Sequence, residues 1–136
     1  MLVPGELVPG KIQTMSTYKD LEVYQRSYRL ALQVNTLTNG FLEKRQFDLA
    51  DQLSRAARSI PANIAEGYGR EKSSKDIQNF LRTALGSNDE VLFNLEFAKD
   101  AGLMSVDQYR LLSTEYVICG KQLTKLIRSL TSKLAN

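Results

Sequence analysis

The sequence predicts an all-α protein, an antiparallel up-down-up-down four-helix bundle. Three observations lead there. From Tyr18 onward, apolar residues recur at three- and four-residue steps through four long runs. The runs are separated by short breaks built on Asn39-Gly40, Gly67 and Gly69, and Ala101-Gly102. No stretch alternates apolar and polar residues between hairpin turns, so strand signals are absent. Short breaks also make consecutive helices antiparallel neighbours.

The first helix is predicted over residues 18–38, with Leu21, Tyr24, Tyr28, Ala31 and Leu32 as its apolar stripe. Asn39-Gly40 is expected to stop it, because both residues tolerate the left-handed conformation. The second helix spans 43–66 and buries Phe47, Leu49, Leu53, Ala56, Ala57, Ile60 and Ile64; Gly67 is expected to end it. The third spans 73–100. Ser73 or Ser74 caps it and Asp76 sits in its first turn, where the helix dipole favours an acid. Ile77, Leu81, Ala84, Asn88, Val91, Leu95 and Ala98 form its stripe, widened by Phe80 and Leu92. The fourth spans 105–132 behind Ser105 as N-cap, with Tyr109, Leu112, Tyr116, Cys119, Leu123, Leu126 and Leu130 at heptad spacing. The domain therefore covers 18–133. Residues 1–17, with two Val-Pro-Gly triplets, read as a flexible extension, although the triplets could also pair as a small extended segment; Met15 is an alternative start.

Composition narrows the chemistry. At 136 residues the chain forms one domain, long enough to bury a core without cross-links. Histidine is absent, which removes the commonest general base and metal ligand. Cys119 is the single cysteine, so there is no intrachain disulfide and no mixed Cys/His zinc site, and a reducing cytoplasm fits. Its apolar setting marks a buried thiol. No apolar run approaches a membrane span, and the N-terminus lacks the basic-then-apolar order of a signal peptide. Neither a cofactor nor a metal is expected. The net charge of +3 permits an anionic partner without requiring one.

The stretch SIPANIAEGYGR places Pro61 inside a helix, where the carbonyl of Ala57 loses its partner. Alanines and serine around it let another helix come close. The following GYGREKSS is not a phosphate loop: it succeeds a helix and lacks the P-loop spacing. Gly86 inside the third helix implies a close approach, for which the region around Pro61 is the candidate. Arg55 or Arg58 is then expected to pair with Asp89 or Glu90 across the second and third helices. Charge is uneven elsewhere. Residues 105–133 hold five basic side chains against two acids. Lys121, Lys125 and Arg128 share a face of the fourth helix, with Arg110 on the same element, and Lys19, Arg26 and Arg29 share a face of the first. Those helices are neighbours in an up-down bundle, so the stripes are expected to merge into a basic surface able to hold phosphates.

Four segments, YKDLEVYQRSYRLALQV, QLSRAARSIPANIAEGYGR, SSKDIQNFLRTALGSNDE and LIRSL, together resemble the 23S rRNA-intervening-sequence proteins, over about residues 18–130. The resemblance implies a small bacterial, cytoplasmic four-helix bundle that assembles as a ring-like homopentamer. That family is similar to the accessory variability protein of diversity-generating retroelements, a basic pentamer that binds nucleic acid and a reverse transcriptase. The matched residues Arg55, Ser59, Pro61, Asn63, Glu66, Gly67, Gly86, Ser87 and Glu90 then read as structural or interfacial. The functional expectation is a non-enzymatic homo-oligomer binding RNA or a nucleic-acid-associated protein. The alternatives are a scaffold that meets only protein, and an enzyme built on carboxylates around Asp76, Glu90 and Arg55.

Overall fold

The structure, a computed structural model, describes residues 17–69 and 72–135. The extension expected at the N-terminus thus lies, apart from Thr17, outside the described residues, as does Arg70. Four helices follow a 3-10 turn at Tyr18–Asp20: α1 (Glu22–Glu43), α2 (Phe47–Tyr68), α3 (Ser74–Asp100) and α4 (Val106–Ala135). No strand occurs among the described residues.

Cross-helix pairs establish the topology. Ser59 meets Ser87, and Gly67 meets Phe80, so α2 and α3 run antiparallel. Asn88 reaches Tyr116 while Gln78 reaches Ile127, which sets α3 against α4. Arg26 meets Glu115 and Glu22 meets Gln122, which closes α4 back onto α1. The bundle is up-down-up-down. Its core is one cluster from Leu21 to Leu130, with Phe41, Leu53, Ile60, Leu81, Leu95 and Leu123 among its fully buried members.

Local chemistry sets the ends. Thr17 Oγ1 accepts from Lys19 N (2.9 Å) and caps the 3-10 turn. Ser73 Oγ accepts from Asp76 N (3.1 Å) at the start of α3. Ser105 and Gln108 cap α4 reciprocally, at 3.0 and 3.5 Å.

Three expectations about the elements change. First, Asn39-Gly40 does not stop α1, which runs on to Glu43. Phe41 explains this, because it is 1% exposed and only a continued helix delivers it to the core. Burying a phenylalanine is worth about 2–3 kcal/mol, against about 1 kcal/mol for a glycine in a helix. The stop comes at Arg45, at φ 61°. Gln46 N bonds Phe41 O (2.9 Å) and Arg45 N bonds Leu42 O (3.0 Å), a Schellman closure. Second, Gly67 does not end α2. It is buried within the helix, and a Cβ there would stand 3.1 Å from Phe80 Cβ. Gly67 is where α3 approaches α2, and Gly69 is the C-cap. Third, the stripe assigned to α1 holds at Leu21 and Ala31, which are buried, and at Tyr24, which packs against the core, but not at Tyr28 and Leu32. Val23, Leu30, Val34 and Phe41 are buried, whereas Tyr28 and Leu32 are exposed, as is Phe47 on α2.

Candidate nucleic-acid interface

Helical spacing arranges the basic residues of α4. Arg110, Lys121 and Arg128 are separated by nearly whole numbers of turns, so they lie on one exposed face. At 1.5 Å per residue that face is about 27 Å long. Lys121, Lys125 and Arg128 line a groove of about 600 Å³ between α3 and α4, opposite Leu85, Asp89 and Leu92. Asn88, Gly120 and Thr124, which the sequence reading did not mark as site residues, complete it. Asn88 Nδ2 donates to Tyr116 O (2.9 Å). A Cβ at Gly120 would sit 3.1 Å from that nitrogen, so the glycine lets Asn88 lie across α4. Asn88 Oδ1 is buried without a hydrogen-bond partner. The groove therefore carries cations along one wall, with the buried Asn88 amide beneath its floor.

The two basic stripes do not merge. Arg26 and Arg29 face the opposite flank of α4, where Glu115 Oε1 accepts from Arg26 Nη1 (2.8 Å) and Arg29 Nη2 (2.9 Å). Glu22 Oε1 accepts from Arg26 Nη2 (3.1 Å) and from Gln122 Nε2 (3.0 Å). Burial disfavours the Arg26 charge, but Glu22 and Glu115 more than offset it, and its pKa is raised. Arg26 is only 19% exposed, and Arg29, although 56% exposed, has its charge held by Glu115, so this seam is a charge network already paired within the chain. Lys19 stands apart on the 3-10 turn, its carbonyl accepting from Gln25 Nε2 (2.8 Å). The sequence could not locate Glu115 on the α1 side of α4, since that depends on the rotation of α4 about its axis.

The pairing expected around Pro61 is also replaced. Arg55 Nη1 bonds Asp51 Oδ2 (3.2 Å) one turn away on its own helix, with both side chains largely exposed. Arg58 faces α1. Neither forms an ion pair with Asp89 or Glu90 among the described residues. The link between α2 and α3 is neutral: Ser87 Oγ donates to Ser59 Oγ (2.8 Å). Asn63 Nδ2 donates to the same Oγ (3.0 Å) and to Ser59 O (2.8 Å), bracing the turn that contains Pro61. Gly86 is exposed, and among the described residues nothing stands within 4 Å of where its Cβ would be, so none of them makes the close approach its presence implied. Glu66 and Glu90 are exposed. Asp76 opens α3 and lies about 21 Å along the helix from Glu90. The structure does not gather Asp76, Glu90 and Arg55 into a pocket.

The model of the 23S rRNA-intervening sequence protein family matches residues 19–125. The chain belongs to that family. A crystal structure of an S23 ribosomal protein family member of unknown function from Bacteroides thetaiotaomicron has the same fold. Its TM-score is 0.73 at 25% identity, covering 77% of this chain and 97% of that one. No curated protein matched the chain. The family match contains the braced Pro61 turn, the Gly67 approach and the Asn88 groove, and ends at Lys125, just before Arg128. No described helix is long and apolar enough to cross a membrane.

Proposed function

We propose that this family member is a non-enzymatic, cytoplasmic homo-oligomer, a ring-like pentamer, that binds RNA or a ribonucleoprotein partner through α4. The observation carrying this reading is the division of the cations. Arg26 and Arg29 are held by acids in the α1–α4 seam, whereas Arg110, Lys121 and Arg128 share an exposed face beside a groove. An anionic backbone along that face would meet cations at its phosphates. Five copies multiply a net charge of +3 and add avidity. Triple substitution of Lys121, Lys125 and Arg128 by Glu tests this. Single-stranded RNA should bind the parent protein with an affinity falling about 20-fold between 50 and 200 mM salt if three phosphates are neutralised. The triple variant should keep its oligomeric mass and lose that binding. Unchanged binding by an intact oligomer excludes this face.

A second reading, a scaffold that meets only protein, draws support from Phe93 and Phe97, which are 66% and 54% exposed on α3. Partners retained on the protein after nuclease treatment would favour it over RNA.

A further inference from the structure

Two apolar surfaces of the bundle stand open and are unused by the α4 reading. The first is a channel of about 380 Å³, lined by Tyr24, Tyr28 and Leu32 of α1 and by Pro61, Ala62 and Ala65 of α2. Tyr28 is 51% and Leu32 58% exposed. Tyr24 and Tyr28, with ring centroids 5.9 Å apart, give the channel an aromatic wall. Arg58 is the charged residue of its lining. The second surface is a ridge on α3, where Phe93 and Phe97 are more than half exposed and Glu90 stands about one turn before Phe93. Neither Arg58 nor Glu90 forms an ion pair among the described residues.

We infer that the α1–α2 channel of one copy receives the α3 ridge of a second copy. The two sets of residues share one spacing. Arg58, Pro61 and Ala65 stand at i, i+3 and i+7 of α2, and Glu90, Phe93 and Phe97 stand at i, i+3 and i+7 of α3. Each set covers about 10 Å along one helical face. Laid parallel to α2, the second copy's α3 brings Glu90 to Arg58, Phe93 to Pro61 and Ala62, and Phe97 to Ala65 and Tyr24, all in one register. The reversed direction would set Phe97 against Arg58 and strand Glu90 at the apolar end, so charge selects the parallel one. Proline and alanines leave room for the phenyl rings, and the tyrosines offer them aromatic partners. Gly86 then falls level with Ser54, where two small residues let the helices close. Channel and ridge are different surfaces, so the contact is head-to-tail, and each copy both gives and receives a ridge. The pairing presupposes the homo-oligomer proposed above and supplies its contact.

Thiol cross-linking in the full chain tests the pairing. Cys119 is buried, so introduced thiols report alone. Arg58→Cys and Glu90→Cys change exposed positions and leave the apolar residues of channel and ridge in place. With a short bifunctional maleimide, the double variant should give a ladder of linked chains longer than a dimer on a denaturing gel. Each single variant should stay at the mass of one chain. No ladder from a double variant whose native mass is oligomeric overturns the pairing and leaves the assembly standing. A linked dimer from either single variant also overturns it, because that face then meets its own counterpart. A parent protein with the native mass of one chain removes the assembly itself, and the pairing with it. If the thiol variants do not assemble, charge reversal decides. Arg58→Glu and Glu90→Arg should each raise the concentration at which the oligomer dissociates by about tenfold, and the two combined should restore the parent value. A combined variant no tighter than the single ones overturns the pairing.

Discussion

Cys119 shows how strongly a single position can be set by its surroundings. It is fully buried on α4, with Arg26 and Glu115 close enough to act on it. Burial pushes its thiol up from about 9 to about 12; Arg26 pulls the value down and Glu115 pushes it up. Burial raises the Tyr116 phenol in the same way. The thiol is therefore protonated and inert in the folded chain, and it should resist a disulfide reagent at pH 8 until denaturant is added. A folded-state pKa raised above the unfolded one gives stability that is complete below about pH 9. That stability is lost as pH rises toward about 12, because the unfolded chain releases the proton first. The slope is about 1.4 kcal/mol per pH unit for one proton. Urea midpoints between pH 9 and 10.5 should therefore fall more steeply for the parent protein than for Cys119→Ala, in which the raised phenols of Tyr116 and Tyr24 still contribute. Parallel slopes would mean that Cys119 ionises freely in the folded state.

The two inter-helix turns of known geometry close alike but with different residues. After α3, Gly102 takes φ 77°, and Leu103 N bonds Ala98 O (2.8 Å). After α1 the same closure puts Arg45 at φ 61°, where a side chain costs about 1–2 kcal/mol. Arg45→Gly should therefore stabilise the bundle by about 0.5–1 kcal/mol, allowing for the entropy glycine adds to the unfolded chain, and raise Tm. A lower Tm would show that the Arg45 side chain does more than occupy a turn. The same turns show what could be read in advance. Ala101-Gly102 and Ser105 were legible because each residue carries its own backbone preference. Asn39-Gly40 misled because Phe41 outweighs a local signal, and nothing in Arg45 advertises a left-handed stop. The α3 and α4 stripes were legible because a single apolar face is present on each. On α1 two stripes compete, and Tyr28 and Leu32 of one are left at the surface. The basic residues of α4 could be found from spacing alone, but their groove could not, since it depends on Gly120 admitting Asn88.

Across the whole molecule, the outward face of α3 remains unexplained by anything inside one chain. Gly86, Glu90, Phe93 and Phe97 recur at helical spacing, and all are exposed. A glycine inside a helix costs about 1 kcal/mol relative to alanine, and two bare phenylalanines add no stability to a protomer. Both features make sense if this face packs against another copy in the proposed ring, with Gly86 at the closest approach. Gly86→Ala separates the two levels of organisation. Among the described residues no neighbour outside the local helix stands within 4 Å of the new methyl, so the dissociated protomer should gain about 1 kcal/mol and unfold at a higher temperature. The oligomer should weaken, because the same methyl enters the interface. Native mass spectrometry over a dilution series, set beside protomer unfolding at the lowest concentration, reads both effects. Phe93→Glu should abolish assembly while leaving the helical content intact. A stabilised protomer with unchanged assembly would place the interface elsewhere on the bundle.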